Sequence, residues 1–180
     1  MTTARFRLAV VSAMVLACAE SAAEDSAYNR GVDAYKRKDY AEALTQWSAA
    51  VTRGNIDAMN NLGYLLYYGH GVTRAPQDGV QLWRVAAFAG QSEAQWHLGK
   101  AYETGSGVEA DAAKAYAWYR CSMETASGKL QGDKGDTETL ILKDAKESLA
   151  KLRMKITADD LKRGEGLAAE YIRRYAKPPF

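Results

Sequence analysis

From Ala58 to Tyr68 the apolar residues Ala58, Leu62, Leu65 and Leu66 recur at spacings of three and four. That spacing predicts an amphipathic helix. Gly69 ends it, because glycine adopts the left-handed conformation of a helix C-terminus without a Cβ penalty. The segment NNLGYLLYYGHGV, starting at Asn60, returns as WHLGKAYETGSGV, starting at Trp96. Leu62, Gly63, Gly69, Gly71 and Val72 reappear as Leu98, Gly99, Gly105, Gly107 and Val108. Trp47, Trp83 and Tyr119 keep the same interval, as do Ala43, Gly79 and Ala115. A fixed period of this length marks a repeat architecture. Each unit reads as two helices, the second carrying QLWRVAAFAG with a large aromatic followed by small residues. A glycine inside a helix costs about 1 kcal/mol relative to alanine. Gly63 is therefore expected where a neighbouring helix comes close. The predicted class is all-α, a helix-turn-helix solenoid over residues 24–126.

The tail has a different pattern. Residues 127–139, SGKLQGDKGDTET, hold three glycines and read as a flexible loop. Residues 140–180 predict two capping helices. Leu142, Ala145, Leu149, Leu152 and Ile156 step by three and four, and Leu161, Ala168, Tyr171, Ile172 and Tyr175 form the stripe of the second. Thr157, with Asp160 three residues on, is its expected N-cap. Gly164 and Gly166 weaken this helix, and KPPF reads as a frayed end.

The repeated residues carry a resemblance. The pattern A-x-x-x-W-x-x-A…G-x-x-x-A-x-x-x-L-G-x-x-Y…G-x-G-V resembles the Sel-one-like repeat, a relative of the tetratricopeptide repeat, over Ala41 to about Ala126. The preceding stretch, with Gly31, Tyr35, Tyr40 and Ala43, is similar to a tetratricopeptide unit. Gly79 stands where alanine is usual, and the pattern breaks down after Tyr119. The resemblance implies a protein-binding solenoid in which the first helix of each pair lines a concave groove. The groove positions would be Tyr28, Val32, Tyr35 and Lys36, then Asn60, Tyr64, Tyr67 and Tyr68, then Trp96, Lys100 and Glu103. Aromatic side chains with polar tips suit peptide recognition. The alternative for these aromatics is packing between repeats. The family also implies scaffolding in envelope processes, as an adaptor or regulator of a partner protein.

The N-terminus adds a location. Arg5 and Arg7 precede an apolar run from Leu8 to Ala19, and small residues follow. This is the pattern of a secretory signal peptide over residues 1–23; the alternative is a buried N-terminal helix. Cleavage would expose Glu24 or Glu20. Val15-Leu16-Ala17-Cys18 resembles a bacterial lipobox loosely, which would make Cys18 a lipidation site and the protein a membrane-anchored component of an outer-membrane assembly. The expected place is the periplasm or the outside of the cell. Either route leaves Cys121 without a partner, so no intrachain disulfide is expected. Cys121 reads as a small buried residue or, alternatively, a redox thiol.

Charge and chemistry narrow the function further. The net charge of +2 gives no global pull toward nucleic acid. Residues 143–180 hold 10 Lys/Arg against 6 Asp/Glu; this reads as a solvated basic face or as a patch for an acidic partner or anionic lipid. His70 sits in a Gly-His-Gly connector expected to face solvent, and His97 reads as a structural helix residue. Neither has metal-ligand spacing, and no nucleophile or phosphate-loop motif is present. The expectation is a monomeric, non-catalytic binding module without cofactor or metal; a cell-wall enzyme would lack recognisable residues.

Overall fold

The computed structural model describes residues 26–130 and 135–176. The expected signal peptide with Cys18, and the C-terminal KPPF, lie outside the described residues. Every regular element among the described residues is helical. The helices are α1 (26–36), α2 (Tyr40–Val51), α3 (Ile56–Tyr68), α4 (Pro76–Phe88), α5 (Ser92–Thr104), α6 (Ala112–Leu130), α7 (Gly135–Arg153) and α8 (Ala158–Tyr175).

The repeat is built from recurring local chemistry. Asn55 caps α3 by accepting from the Ala58 amide, and Gln91, one period later, caps α5 by accepting from the Ala94 amide. These side chains satisfy helix N–H groups that have no intrahelical partner. Gly69 and Gly105 close the same helices in the left-handed conformation, at φ 78° and 70°. The two helices of a unit then lock through one contact used three times. Trp47 lies on Gly31, Trp83 on Gly63 and Tyr119 on Gly99. A Cβ on Gly63 would stand 2.8 Å from Trp83 Nε1, and one on Gly99 would stand 2.7 Å from Tyr119 Cδ1. The glycine thus makes the notch and the aromatic fills it. Gly79 has its own reason: its Cβ would lie 2.7 Å from the Gly63 carbonyl, so α3 and α4 cross with glycine against glycine.

One apolar cluster joins Ala27, Ala34, Ala43, Trp47, Ala50, Ala58, Leu62 and Leu65 beneath α1–α3. A larger one runs from Tyr67 and Trp83 through Tyr116, Trp118 and Tyr119 to Leu149, Leu152 and Ala168. The helix that carries Tyr119 does not end where the repeat pattern breaks down. This helix, α6, continues to Leu130, and α7 begins at Gly135, so the loop expected over 127–139 is helical at both ends. A Cβ on Gly128 would meet no atom within 4 Å, while nearby Ala126 is buried and Lys129 pairs with Glu138 of α7 at 3.2 Å. Burial and that clamp carry α6 past a glycine that sequence alone reads as a break.

α6 lies between the two tail helices. α7 packs on α6 and α5, while α8 packs on the other side of α6 and touches α4. Ile141, Ala145, Leu149 and Leu152 form the buried face of α7. Thr157 Oγ1 accepts from the Asp160 amide at 3.1 Å, the expected cap of α8. Gly164 does not simply weaken α8. It is buried where the helix meets the Ala113 carbonyl and Tyr116, and a Cβ would lie 3.1 Å from both. Arg163 spans Asp111 and Asp160 at 2.9 Å each, fixing α8 to the start of α6.

Candidate functional site

α1, α3 and α5, the first helices of the three units, open onto a shared hollow. A pocket of about 470 Å³ lies there, lined by Val32, Tyr35 and Lys36 from α1, Trp47 from α2, Asn60, Asn61 and Tyr64 from α3, and Glu93 and His97 from α5. A second hollow of about 520 Å³ adjoins it. It shares Asn61 and Glu93 and is bounded by Tyr28, Asp57, Gln91, Lys129 and Glu138 among others.

Aromatic rings form one wall. Tyr35 meets Tyr64 edge-on at 6.2 Å and lies 5.6 Å from Trp47. Burial and the neighbouring Tyr64 push the Tyr35 hydroxyl up to about 12. Tyr64 stacks on His70 at 5.4 Å and contacts Tyr68 at 4.7 Å. His70 is therefore half-buried in an aromatic cluster with Tyr40 rather than facing solvent. The Gly71 turn, seated against Tyr40, brings it there.

The floor is polar and buried. His97 is 4% exposed and stacks on Trp83 at 4.4 Å and 9°. Burial, with help from Lys100, drives its imidazole down to about 3, so the ring is neutral. Glu93 Oε1 stands 3.8 Å from His97 Nε2, and Glu93 Oε2 accepts from Asn60 Nδ2 at 2.9 Å. Burial raises the Glu93 carboxyl; Asn60 lowers it, and Asp57, Glu138 and Asp144 raise it further. Two buried polar atoms on this floor have no hydrogen-bond partner: Asn60 Oδ1 and His97 Nδ1.

The groove positions expected from sequence divide into three groups. Tyr35, Val32, Lys36, Asn60 and Tyr64 meet in the first pocket, and Tyr28 lines the second. Asn60 is not exposed: it is 2% exposed, and its backbone carbonyl accepts from Trp83 Nε1 at 3.0 Å, so the repeat's own notch draws it inward. Tyr67 is buried against Trp83 at 4.7 Å and belongs to the core, whereas Tyr68 stands exposed at the rim. The third-unit positions turn toward the tail. Trp96 Nε1 donates to Ser148 Oγ of α7 at 3.0 Å. Glu103 pairs with Lys155 at 2.7 Å and accepts from the Tyr119 hydroxyl at 2.6 Å. Burial raises the Glu103 carboxyl, but these two donors outweigh it and hold it below the usual range. Lys100 lies over the Trp96 ring at 5.4 Å. α7 thus occupies the space beside the third unit that sequence left open for a partner.

Sequence reasoning missed Glu93 and Asn61 as pocket residues and gave His97 a structural role only. The signal was present: His97 and Asn61 share a repeat position, and a position that lines a pocket in two units is a candidate for the concave face. Among the described residues no three His, Cys, Asp or Glu side chains converge on a metal-binding position.

Residues 56–90 and 92–122 match the Sel1 repeat, covering α3–α4 and then α5 with much of α6. No curated protein matches the chain significantly. Among solved structures it is similar to a protective antigen present in uropathogenic Escherichia coli strains that displays an SLR fold. The TM-score is 0.72 and the identity 28%, over 85% of this chain and 30% of that one. It is also similar to a Sel1 repeat protein from Oxalobacter formigenes, with a TM-score of 0.48 and 26% identity, over 76% of this chain and 59% of that one. The chain therefore spans less than a third of the first structure's length and under two thirds of the second's.

Proposed function

We propose that this chain, a helical solenoid carrying two Sel1 repeats, is a non-catalytic adaptor or scaffold in the cell envelope that holds a segment of a partner protein in the hollow of α1, α3 and α5. The repeats supply the class, since Sel1 repeats generally mediate protein–protein interactions. The observation that carries the reading is the pocket itself: three successive units each contribute side chains to one concavity walled by Tyr35, Tyr64 and Trp47. Rigid aromatic surface with few rotatable bonds is what interface hot spots are made of. The envelope location rests on the secretion-like pattern of residues 1–23, and lipid anchoring through Cys18 would place the same groove at a membrane surface.

The test is capture of partner proteins from an envelope extract with the wild-type chain, Tyr64→Ala and Val85→Ala. Val85 is exposed on α4 and lines neither hollow. The expected result is a partner retained by wild type and Val85→Ala but lost with Tyr64→Ala. Equal capture by all three would move the binding surface off the groove.

A further inference from the structure

We infer that the pocket of α1, α3 and α5 accepts an arginine side chain of the partner, with Glu93 receiving the guanidinium beside the wall that Tyr35 and Tyr64 form. This rests on the groove reading above and names the chemistry the groove selects.

The polar floor offers acceptors. Glu93 lies between the two hollows and keeps 38% of its side-chain surface open. Its direct contacts within the chain are the Asn60 amide and His97, both uncharged, and the charged groups that act on it, Asp57, Glu138 and Asp144, are all acidic. Among the described residues no lysine or arginine pairs with it. Lys129 is taken by Glu138, Lys155 by Glu103, and Lys100 lies over Trp96. Lys36 lines the same pocket but is exposed and makes no ion pair with Glu93. A carboxylate held in a concave, aromatic-walled site without a cation is an incomplete pair.

The unpartnered atoms are a second, independent observation. Asn60 Nδ2 donates to Glu93, which turns Asn60 Oδ1 away as an acceptor without a donor. Glu93 beside His97 Nε2 favours the tautomer with its proton there, which leaves Nδ1 an acceptor as well. Asn60 and His97 are both more than nine-tenths buried. Buried polar groups are ordinarily satisfied, and this floor lacks donors. Of the side chains, arginine brings the most: five N–H donors on a rigid planar fork that also stacks on aromatic faces. Tyr35 and Tyr64 provide those faces, with the buried Trp47 behind Tyr35. Lysine has three donors on a compact, strongly hydrated ammonium and stacks less well on an aromatic face.

The experiment uses the full chain and two probes, Nα-acetyl-arginine amide and its neutral isostere Nα-acetyl-citrulline amide. Binding is followed by the His97 imidazole resonances and by tryptophan emission. The expected result is saturable binding of the arginine probe, at least tenfold weaker binding of citrulline, and at least tenfold loss of the arginine probe in Glu93→Gln. Glutamine keeps an acceptor for Asn60 Nδ2, so Glu93→Gln should retain its thermal midpoint. Equal binding of the two probes, or an unchanged arginine affinity in Glu93→Gln, overturns the inference. A random peptide library panned on the same chain separates this inference from the groove reading. Selected peptides that need Tyr64 but carry no arginine overturn the inference alone. Selected peptides that are all indifferent to Tyr64→Ala overturn the groove reading, and this inference with it.

Discussion

Replacing Gly63 by alanine sets two effects of similar size against each other. In an exposed helix interior the change would stabilise by about 1 kcal/mol, through helix propensity. At Gly63 the new Cβ would stand 2.8 Å from Trp83 Nε1, 2.9 Å from Trp83 Cδ1 and 3.1 Å from the Gly79 carbonyl. None of these can yield cheaply. Trp83 is 1% exposed and donates to the Asn60 carbonyl at 3.0 Å, and Gly79 O is main chain. Overpacking a core of this kind costs about 1–3 kcal/mol. Set against the helix gain, this leaves Gly63→Ala destabilised by up to about 2 kcal/mol. Gly166 provides the control, since it lies in α8 with nothing within 4 Å of its would-be Cβ. Gly166→Ala should stabilise by about 0.5–1 kcal/mol. Urea unfolding followed by helical circular dichroism measures both, as opposite shifts of midpoint at unchanged slope. A Gly63→Ala variant stabilised as much as Gly166→Ala would show that α3 and α4 do not meet at the glycine notch.

Other consequences follow from the same geometry. Trp83→Ala should cost about 3–5 kcal/mol, the range for a large aromatic lost from a packed core, and an equilibrium unfolding change below about 1 kcal/mol would contradict its placement. His97 couples stability to pH. Its folded-state value of about 3 lies below the ordinary 6.5, so the unfolded chain takes up the proton first as pH falls. The stability from holding it neutral is complete above pH 6.5 and is lost from there toward pH 3, by up to about 1.4 kcal/mol per pH unit. Glu93, raised by burial, opposes this loss because its folded form binds a proton more readily. His97→Phe should flatten the wild-type fall in urea midpoint between pH 6.5 and 5, and a parallel fall in the variant would refute the assignment. Cys121 is fully buried, and burial pushes its thiol up to about 12; a thiol reagent should label it only on unfolding, and rapid labelling of the native chain would show otherwise.

Much of this architecture was legible in the sequence because packing constraints repeat with the chain. Gly63 and Gly99, Trp83 and Tyr119 are fixed by the same notch, so their common interval announces it. Asn60 shows the limit of that logic. It differs from its counterpart Trp96, and variation between copies reads as freedom from packing, yet Asn60 is buried, its carbonyl held by Trp83 and its amide by Glu93. The two residues vary because their neighbours differ: Asn60 meets Glu93 of the next unit, while Trp96 meets Ser148 of the non-repeating α7. A one-dimensional period cannot reveal contacts with an element outside the period. The continuation of α6 past Gly128 was hidden for the same reason, since its support comes from α7.

Site-specific photo-crosslinking in intact cells tests the central claim most directly. A photoreactive side chain at Tyr64 lies on the wall of the hollow, and one at Val85 lies on the exposed surface of α4. The groove account predicts a discrete crosslinked partner protein from position 64 and none from position 85. The same partner captured from position 85 and not from position 64 would contradict it.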